Sequence, residues 1–438
     1  MSIDRRTFVK GATAGAVSTG LTLSSQTAAG YNRIVGANEK VVVGFVGTGG
    51  MGRSNMKDFL KMPEVEVAAV CDVFHPNLDE ASKMTGGKAS AVKDFRRIID
   101  RKDVDVVVVS TPDHWHALPM IYACDAGKDV YVEKPVSLTI HEGRKMVEAA
   151  RRNKRVVQVG TQQRSGKHFQ HAAELVRNGK IGKVSYVRAW NFSNQHPNGI
   201  GNPPDSAPPA DLDWEMWLGP APKVPYNKNR ALYTFRWFWD YAGGKLTDWG
   251  VHLLDVVQWA MNVEYPQAVS ASGGKFYLQD NRETPDTLTV TYEYPTFLCI
   301  YENRECNGTP LDGHDYGITF HGTDGTLFID RGGFEITPDK RRDKDKKMVD
   351  RMEAMKVEDS NDQHLTHVRN FLDCVKSRQM PASDIEIAHR STSTCHLGNI
   401  ALRSNAKITW DGAREQIVGN AAASKLLRRE YRNSWKLT

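Results

Sequence analysis

Cysteine is scarce: six occur in 438 residues, placed inside apolar patterns where they do not suggest a disulfide framework. Cys71 closes one apolar run, Cys124 sits in a helical pattern and Cys299 in a strand pattern, so buried free thiols are expected. Cys299 and Cys306, though close in sequence, are not expected to pair. Long hydrophobic runs are missing as well. The N-terminal stretch ending at Leu23 is rich in Gly, Ala and Thr, too short and too weakly apolar for a transmembrane helix, and no stable membrane anchor is expected. Charge of one sign is not in excess, since 58 Lys and Arg face 52 Asp and Glu spread along the chain. That balance leaves no nucleic-acid footprint, and the local basic run Lys340 to Lys347 reads as a solvated loop. No internal repeat is found.

What is present is a globular composition, 40% hydrophobic and 25% charged, with length enough for two domains that each have a core. The organising stretch is Val41 to Gly52, an apolar run breaking into G-x-G-x-x-G at Gly47, Gly49 and Gly52. In such a turn the first glycine permits the tight strand-to-helix bend, the second lets backbone approach a pyrophosphate, and the third lets the helix pack on the strand. Helix-terminal N–H groups then face the phosphates. A second run leads to Asp72, 20 residues past Gly52, where a carboxylate reaches the adenine ribose hydroxyls. No arginine follows Asp72 directly, so NAD is favoured over NADP, whose 2′-phosphate the carboxylate repels.

Strand patterns at 41–46, 65–70, 104–109, 130–132 and 156–159 alternate with helical ones near 52–61, 91–100, 115–126 and 140–152. This predicts a doubly wound parallel sheet of Rossmann type. Ligands lie at the carboxyl ends of such strands, where the chain carries Ser110-Thr111-Pro112-Asp113-His114 and Glu133-Lys134-Pro135. Beyond 160 come a helix near 167–178, a strand near 183–192 and a Pro-rich passage from His196 to Pro225 that reads as a fixed irregular loop. Strands near 266–278, 286–293, 297–303, 316–321 and 326–330 predict a second α/β domain with a large, mainly antiparallel sheet. The charged segment 338–362 is expected to be an exposed insertion, followed by helices near 364–377 and 385–403. Six of the ten tryptophans fall between 214 and 259, placed for core packing or for stacking on sugar rings.

Residues 1–30 are set aside from the fold. Asp4-Arg5-Arg6-Thr7-Phe8-Val9-Lys10 has the twin-arginine pattern of a Tat signal, and Ala28 to Gly30 offer an imperfect cleavage site. Export by the Tat machinery to the periplasm or beyond is expected. That route carries folded proteins, so a nucleotide can be bound before export. The expected division is 1–30 signal, 31–161 nucleotide-binding domain and 162–438 substrate domain.

The glycine turn, Asp72, the TPDHWH loop from Thr111 to His116, the EKP motif at Glu133 to Pro135 and GGKLTDWGVHLLD from Gly243 to Asp255 together resemble the glucose-fructose oxidoreductase, inositol dehydrogenase and rhizopine-catabolism family (Gfo/Idh/MocA). The resemblance implies a Rossmann domain, a C-terminal α/β domain whose open sheet faces the nicotinamide, and a catalytic trio at Lys134, Asp248 and His252. The chemistry suits alcohol oxidation. His252 can accept the hydroxyl proton near neutral pH, and Lys134 can stabilise alkoxide charge. Asp248, four residues before His252, shares its face if the helix begins by Asp248, and can then orient the ring. Taken singly, Asp248 could equally be a helix N-cap, His252 a packed helix histidine and Lys134 a surface cation.

The cofactor-binding set is Gly47, Thr48, Gly49, Gly50, Met51, Gly52 and Asp72, extended by the resemblance to Thr111, His116, Glu133 and Lys134, with Arg236 and Trp237 towards the substrate. No metal is assigned. The expected function is NAD-dependent oxidation or reduction of a secondary hydroxyl on a sugar, polyol or glycoside, in a homo-oligomer. An alternative is an NAD-dependent glycosidase that oxidises transiently, eliminates and restores the hydroxyl, needing no free NAD. A sugar-binding protein that keeps NAD without catalysis is a third reading, and the presence of all three trio residues argues against it.

Overall fold

In the computed structural model, which describes residues 40–437, the run VVVGFV forms β1 (Val41–Val46) at the centre of a parallel sheet. The Tat pattern lies outside the described residues. The sheet also holds β2 (Val65–Cys71), β3 (Ser90–Val92), β4 (Val106–Val109), β5 (Asp129–Val132) and β6 (Val157–Val159), in the order β3-β2-β1-β4-β5-β6. Val-rich strands suit a sheet covered on both faces. The covering helices are α1 (Gly50–Leu60), α2 (His75–Met84), α3 (Arg96–Ile99), α4 (Ala117–Asp125) and α5 (Ile140–Arg152). Two details differ from expectation. The span 91–100 is not one helix: β3 ends it on one side, and the Asp94 carboxylate accepts from the Arg96 backbone N–H at 3.0 Å where α3 begins. Helix α2, starting at His75-Pro76, lies where the sequence shows no helical pattern.

After α6 (Lys167–Arg177), β7 (Tyr186–Phe192), α7 (Trp214–Leu218) and α8 (Val251–Met261), the chain builds most of a second sheet from β8 (Ala268–Gly274), β9 (Thr287–Glu293), β10 (Leu298–Arg304), β11 (Tyr316–His321), β12 (Gly325–Asp330) and β13 (Gly333–Pro338). Its ten strands are mainly antiparallel, with β7 and β10 a parallel pair. Alternation along β9, β10 and β11 sends Val290, Tyr292, Cys299, Tyr301, Ile318 and Phe320 to one face, where α6, α8 and α10 (Ile385–Ser404) cover them.

The charged segment 338–362 is only partly an exposed insertion. Its first half is a separate two-stranded ribbon, β14 (Lys340–Arg342) with β15 (Met348–Asp350), but β16 (Met355–Glu358) pairs with β13 and extends the large sheet. The alternation of Met355 and Val357 against charged neighbours gives β16 one apolar face to lay on the core. At the other edge stand β17 (Ile408–Asp411) and β18 (Gln416–Val418). All six cysteines are free.

Two later segments return to the first sheet. Helix α9 (Gln363–Ser377) packs Phe371 against Phe59 and Tyr131, with ring centres 6.2 and 5.7 Å apart. The C-terminal strap, beyond the short α11 (Ala421–Ser424), carries Arg429 and Tyr431 onto the buried Glu142 carboxylate and stacks Trp435 on Phe95.

Candidate functional site

The carboxyl ends of β1, β2, β4 and β5 surround a cavity of about 550 Å³, the crevice in which doubly wound sheets bind ligands. Its glycines fall into two classes. Gly47 has φ 83°, and a Cβ there would stand 2.7 Å from the Ser110 backbone; a Cβ on Gly52 would run into the Gly47 carbonyl oxygen. These two serve the protein's own packing. A Cβ on Gly49 would meet only the Asn77 amide at 3.7 Å, and one on Gly50 would meet nothing within 4 Å. Both line the cavity, at the N-terminus of α1, whose cap Gly49 supplies no side-chain hydrogen bond. Free N–H groups at the end of an 11-residue helix facing open space fit a dinucleotide pyrophosphate.

Asp72 lines the same cavity. Its carboxylate accepts from the Thr48 N–H at 2.8 Å, the Phe74 N–H at 2.9 Å and the Thr48 hydroxyl at 3.3 Å. Burial nonetheless raises its pKa, with those bonds opposing the shift. The group is thus fixed in place with lone pairs to spare for ribose hydroxyls.

At the far end, Lys134 donates from Nζ to Asp248 Oδ1 at 2.9 Å and to the Asp248 carbonyl at 2.8 Å, and Arg236 Nε approaches the same Oδ1 at 3.4 Å. Burial opposes ionisation of Asp248, but Lys134 and then Arg236 outweigh it and hold its carboxyl well below the usual range. The expected Asp248–His252 pairing is therefore not what forms: the carboxylate serves the two cations. The reason is local. Leu246–Gly250 is a π-helical turn, and α8 begins only at Val251, so the four-residue spacing does not follow α-helical geometry. His252 is buried, and its Nδ1 has no hydrogen-bond partner. Burial, then the nearby Lys134 and Arg331, push its pKa well below 6.5 and keep the ring neutral.

Of the remaining expected residues, Met51, Thr111, Glu133 and Arg236 line the cavity. The Thr111 hydroxyl is buried without a partner. Glu133 is held by Asn55 at 2.8 Å, and burial raises its pKa. Four others are not among the lining residues. Thr48 acts through Asp72, and Gly52 packs on the turn. His116 braces two loops, its ring nitrogens 2.7 and 2.9 Å from the carbonyls of Pro135 and Thr111. Trp237 is buried with the Arg282 guanidinium 5.2 Å from its ring, a packing role that its neighbour Arg236 does not share.

Sequence reasoning missed Asn55, which fixes Glu133 across a separation of 78 residues. It also passed over Asp113 within the TPDHWH loop. Asp113 lines the cavity, and burial pushes its pKa up to about 7 against the pull of Arg236 and Lys134. A carboxyl inside an already singled-out loop was the available signal.

The model for the oxidoreductase family's NAD-binding Rossmann fold matches residues 41–161, and that for its C-terminal alpha/beta domain matches 175–326 and 344–437. The chain belongs to the Gfo/Idh/MocA oxidoreductase family. Among the curated relatives of this member, a glycosyl hydrolase family 109 protein of Shewanella pealeana (strain ATCC 700345 / ANG-SQ1) is 31% identical over 212 residues, 43% of this chain and 46% of that one. A protein of the same description from Shewanella baltica (strain OS185) is 30% identical over 213 residues, with the same shares. The chain thus spans about half the length of the curated relatives it matches. Solved structures share the Gfo/Idh/MocA fold more completely. WlbA dehydrogenase of Bordetella pertussis, in complex with NADH and UDP-GlcNAcA, superposes with a TM-score of 0.63 at 18% identity over 85% of this chain and 99% of that one. A levoglucosan dehydrogenase in complex with NADH and levoglucosan gives 0.65 at 18% identity over 84% and 99%.

Proposed function

We propose that this family member is an NAD-dependent oxidoreductase acting on a secondary hydroxyl of a sugar, polyol or glycoside. The observation that carries the reading is the Lys134–Asp248 pair on a cavity that also fits a dinucleotide, with the neutral, buried His252 one turn further along the chain from Asp248. NAD, when bound, supplies the hydride acceptor. His252 takes the hydroxyl proton: Nδ1 is closed off, which leaves Nε2 as the nitrogen that can reach a ligand. Lys134, fixed by Asp248, places a positive charge where alkoxide character develops. Arg236 approaches the same carboxylate oxygen at 3.4 Å. The test is to purify the protein without added nucleotide, identify any dinucleotide released on denaturation, and assay the native sample on sugars and glycosides with and without external NAD. Absence of both bound dinucleotide and NAD-dependent turnover rejects the reading.

A specific observation favours a second outcome of that assay. The curated relatives, matched over about half of their length, are described as glycosyl hydrolases, which supports redox-neutral glycoside cleavage with retained NAD. Aglycone release without net NADH would assign that activity; NADH in step with substrate, with the glycosidic bond intact, would assign plain oxidation.

Asp72→Ala should relax the choice of nucleotide, because the carboxylate that binds two ribose hydroxyls also repels a 2′-phosphate. Calorimetry on the wild type checks the assignment, and tighter binding of NADP than NAD rejects it. Export through the Tat machinery, to the periplasm or beyond, belongs to the same proposal, as does assembly into a homo-oligomer. Replacing Arg5 and Arg6 together by Lys should leave folded, NAD-loaded protein in the cytoplasm; unchanged export on fractionation would reject the signal.

A further inference from the structure

Arg331 is a guanidinium without a counter-ion beside the proposed catalytic residues. It stands in the turn between β12 and β13, half-buried, with Nε closed off from solvent and unpartnered. Among the described residues it makes no ion pair. Its Cζ lies 4.9 Å from the centre of the Trp249 ring. Trp249 in turn stands 6.2 Å from the His252 ring and 5.2 Å from Tyr316. The Gln162 amide oxygen accepts from Arg331 Nη2 at 3.3 Å and from His364 Nε2 at 3.0 Å. The groups that hold this cation are therefore neutral.

Acidic groups nearby in the fold are committed elsewhere. Asp248 faces Lys134 and Arg236, and Asp330 accepts from the Gly332 N–H at 2.7 Å and faces His314 at 3.1 Å. Lys245 adds a second cation 6.0 Å from the same indole. Withdrawing a guanidinium from water without a compensating charge is costly, and the cost is recovered when a ligand brings the anion. A planar fork suits a carboxylate, which it can bind through two parallel hydrogen bonds. The indole between Arg331 and His252 offers the flat apolar surface that a sugar ring stacks on.

We infer that Arg331, with Trp249, Gln162 and His364, forms a subsite for a carboxylate on the substrate, so that the sugar oxidised at His252 is a uronic acid or carries one next to the reacting ring. This rests on the proposed reading of Lys134, Asp248 and His252. The full-length, NAD-loaded protein is assayed on matched pairs: methyl glucuronide against methyl glucoside, and methyl galacturonide against methyl galactoside, with glucose 6-phosphate as a different anion. At least one uronide should exceed its neutral partner about tenfold or more in kcat/KM. Arg331→Met should lower that acid-to-neutral ratio roughly ten- to a hundredfold, mainly through KM, the size of a lost charge-assisted hydrogen bond. Arg331→Lys should restore only part of it.

Equal rates on acid and neutral sugars, unchanged by either variant, would overturn the subsite and leave the oxidoreductase reading intact. Preference for the phosphate over both uronides would overturn the carboxylate assignment. If no sugar turns over, uronide binding by calorimetry decides: binding that is lost in Arg331→Met, or weakened in Arg331→Lys, keeps the subsite while the redox reading fails, and no binding by the wild type ends the subsite as well. Should Arg331→Met fail to fold, the wild-type ratio and Arg331→Lys carry the test.

Discussion

His252→Ala should yield a folded protein that retains NAD and loses turnover roughly a hundredfold or more, the usual contribution of a positioned acid or base. Retention follows from placement, since His252 is not among the residues that line the cavity. Nucleotide content, thermal midpoint and single-turnover NADH formation are measured on the same sample. A loaded variant as fast as the wild type would show that the base is another group. Loss of both NAD and thermal stability would instead make His252 a packing residue. The wild type carries a companion expectation in its pH profile. Burial and two cations depress the pKa of His252, so the ring is already a neutral base throughout the ordinary histidine range. The rate should fall only as pH drops through that lowered value, well below 6.5. An acidic limb centred near 6.5 would contradict the buried, cation-flanked environment.

Gly49→Val and Gly52→Val should separate two kinds of glycine that look alike in sequence. At Gly49 the backbone is at φ −64° and ψ −165°, open to any residue, and the added side chain points into the cavity. This variant should keep the thermal midpoint of nucleotide-free wild type while its dinucleotide content falls to near zero. At Gly52 the added carbon meets the Gly47 carbonyl. Overpacking of that kind costs about 1–3 kcal/mol, and the displaced turn should lose the nucleotide too. Chromatography of the denatured extract reports loading, and thermal unfolding reports stability. Full loading of Gly49→Val would mean that the pyrophosphate does not pass over this turn.

The two ends of the cavity depend on different parts of the chain. The dinucleotide end is built locally, from loops that follow consecutive strands of one sheet. The other end joins Lys134 to Asp248 across 114 residues, and α9 and the C-terminal strap hold the first sheet from outside.

What the amino-acid sequence determined by itself is whatever depends on short-range geometry. The run from Val41 to Gly52 specifies a strand, a turn and a helix start, because strand hydrophobicity and the steric freedom of glycine act within a few residues. Asp72 and the loops after β4 and β5 followed from the alternation of strands and helices, which fixes the end of the sheet to which each loop belongs. The trio rests on resemblance, and of its members Lys134 and Asp248 are bonded to each other while His252 makes no bond to either. The tertiary structure alone decided their partners. A four-residue spacing reads as one helical face, yet the π-turn over Leu246–Gly250 shifts the register and hands Asp248 to Lys134. Residues 338–362 look uniformly solvated by composition, but β16 becomes sheet once β13 offers an unpaired edge. Arg331 carries no motif; what singles it out is burial without a counter-ion, and that exists only after the turn between β12 and β13 has been folded onto Trp249.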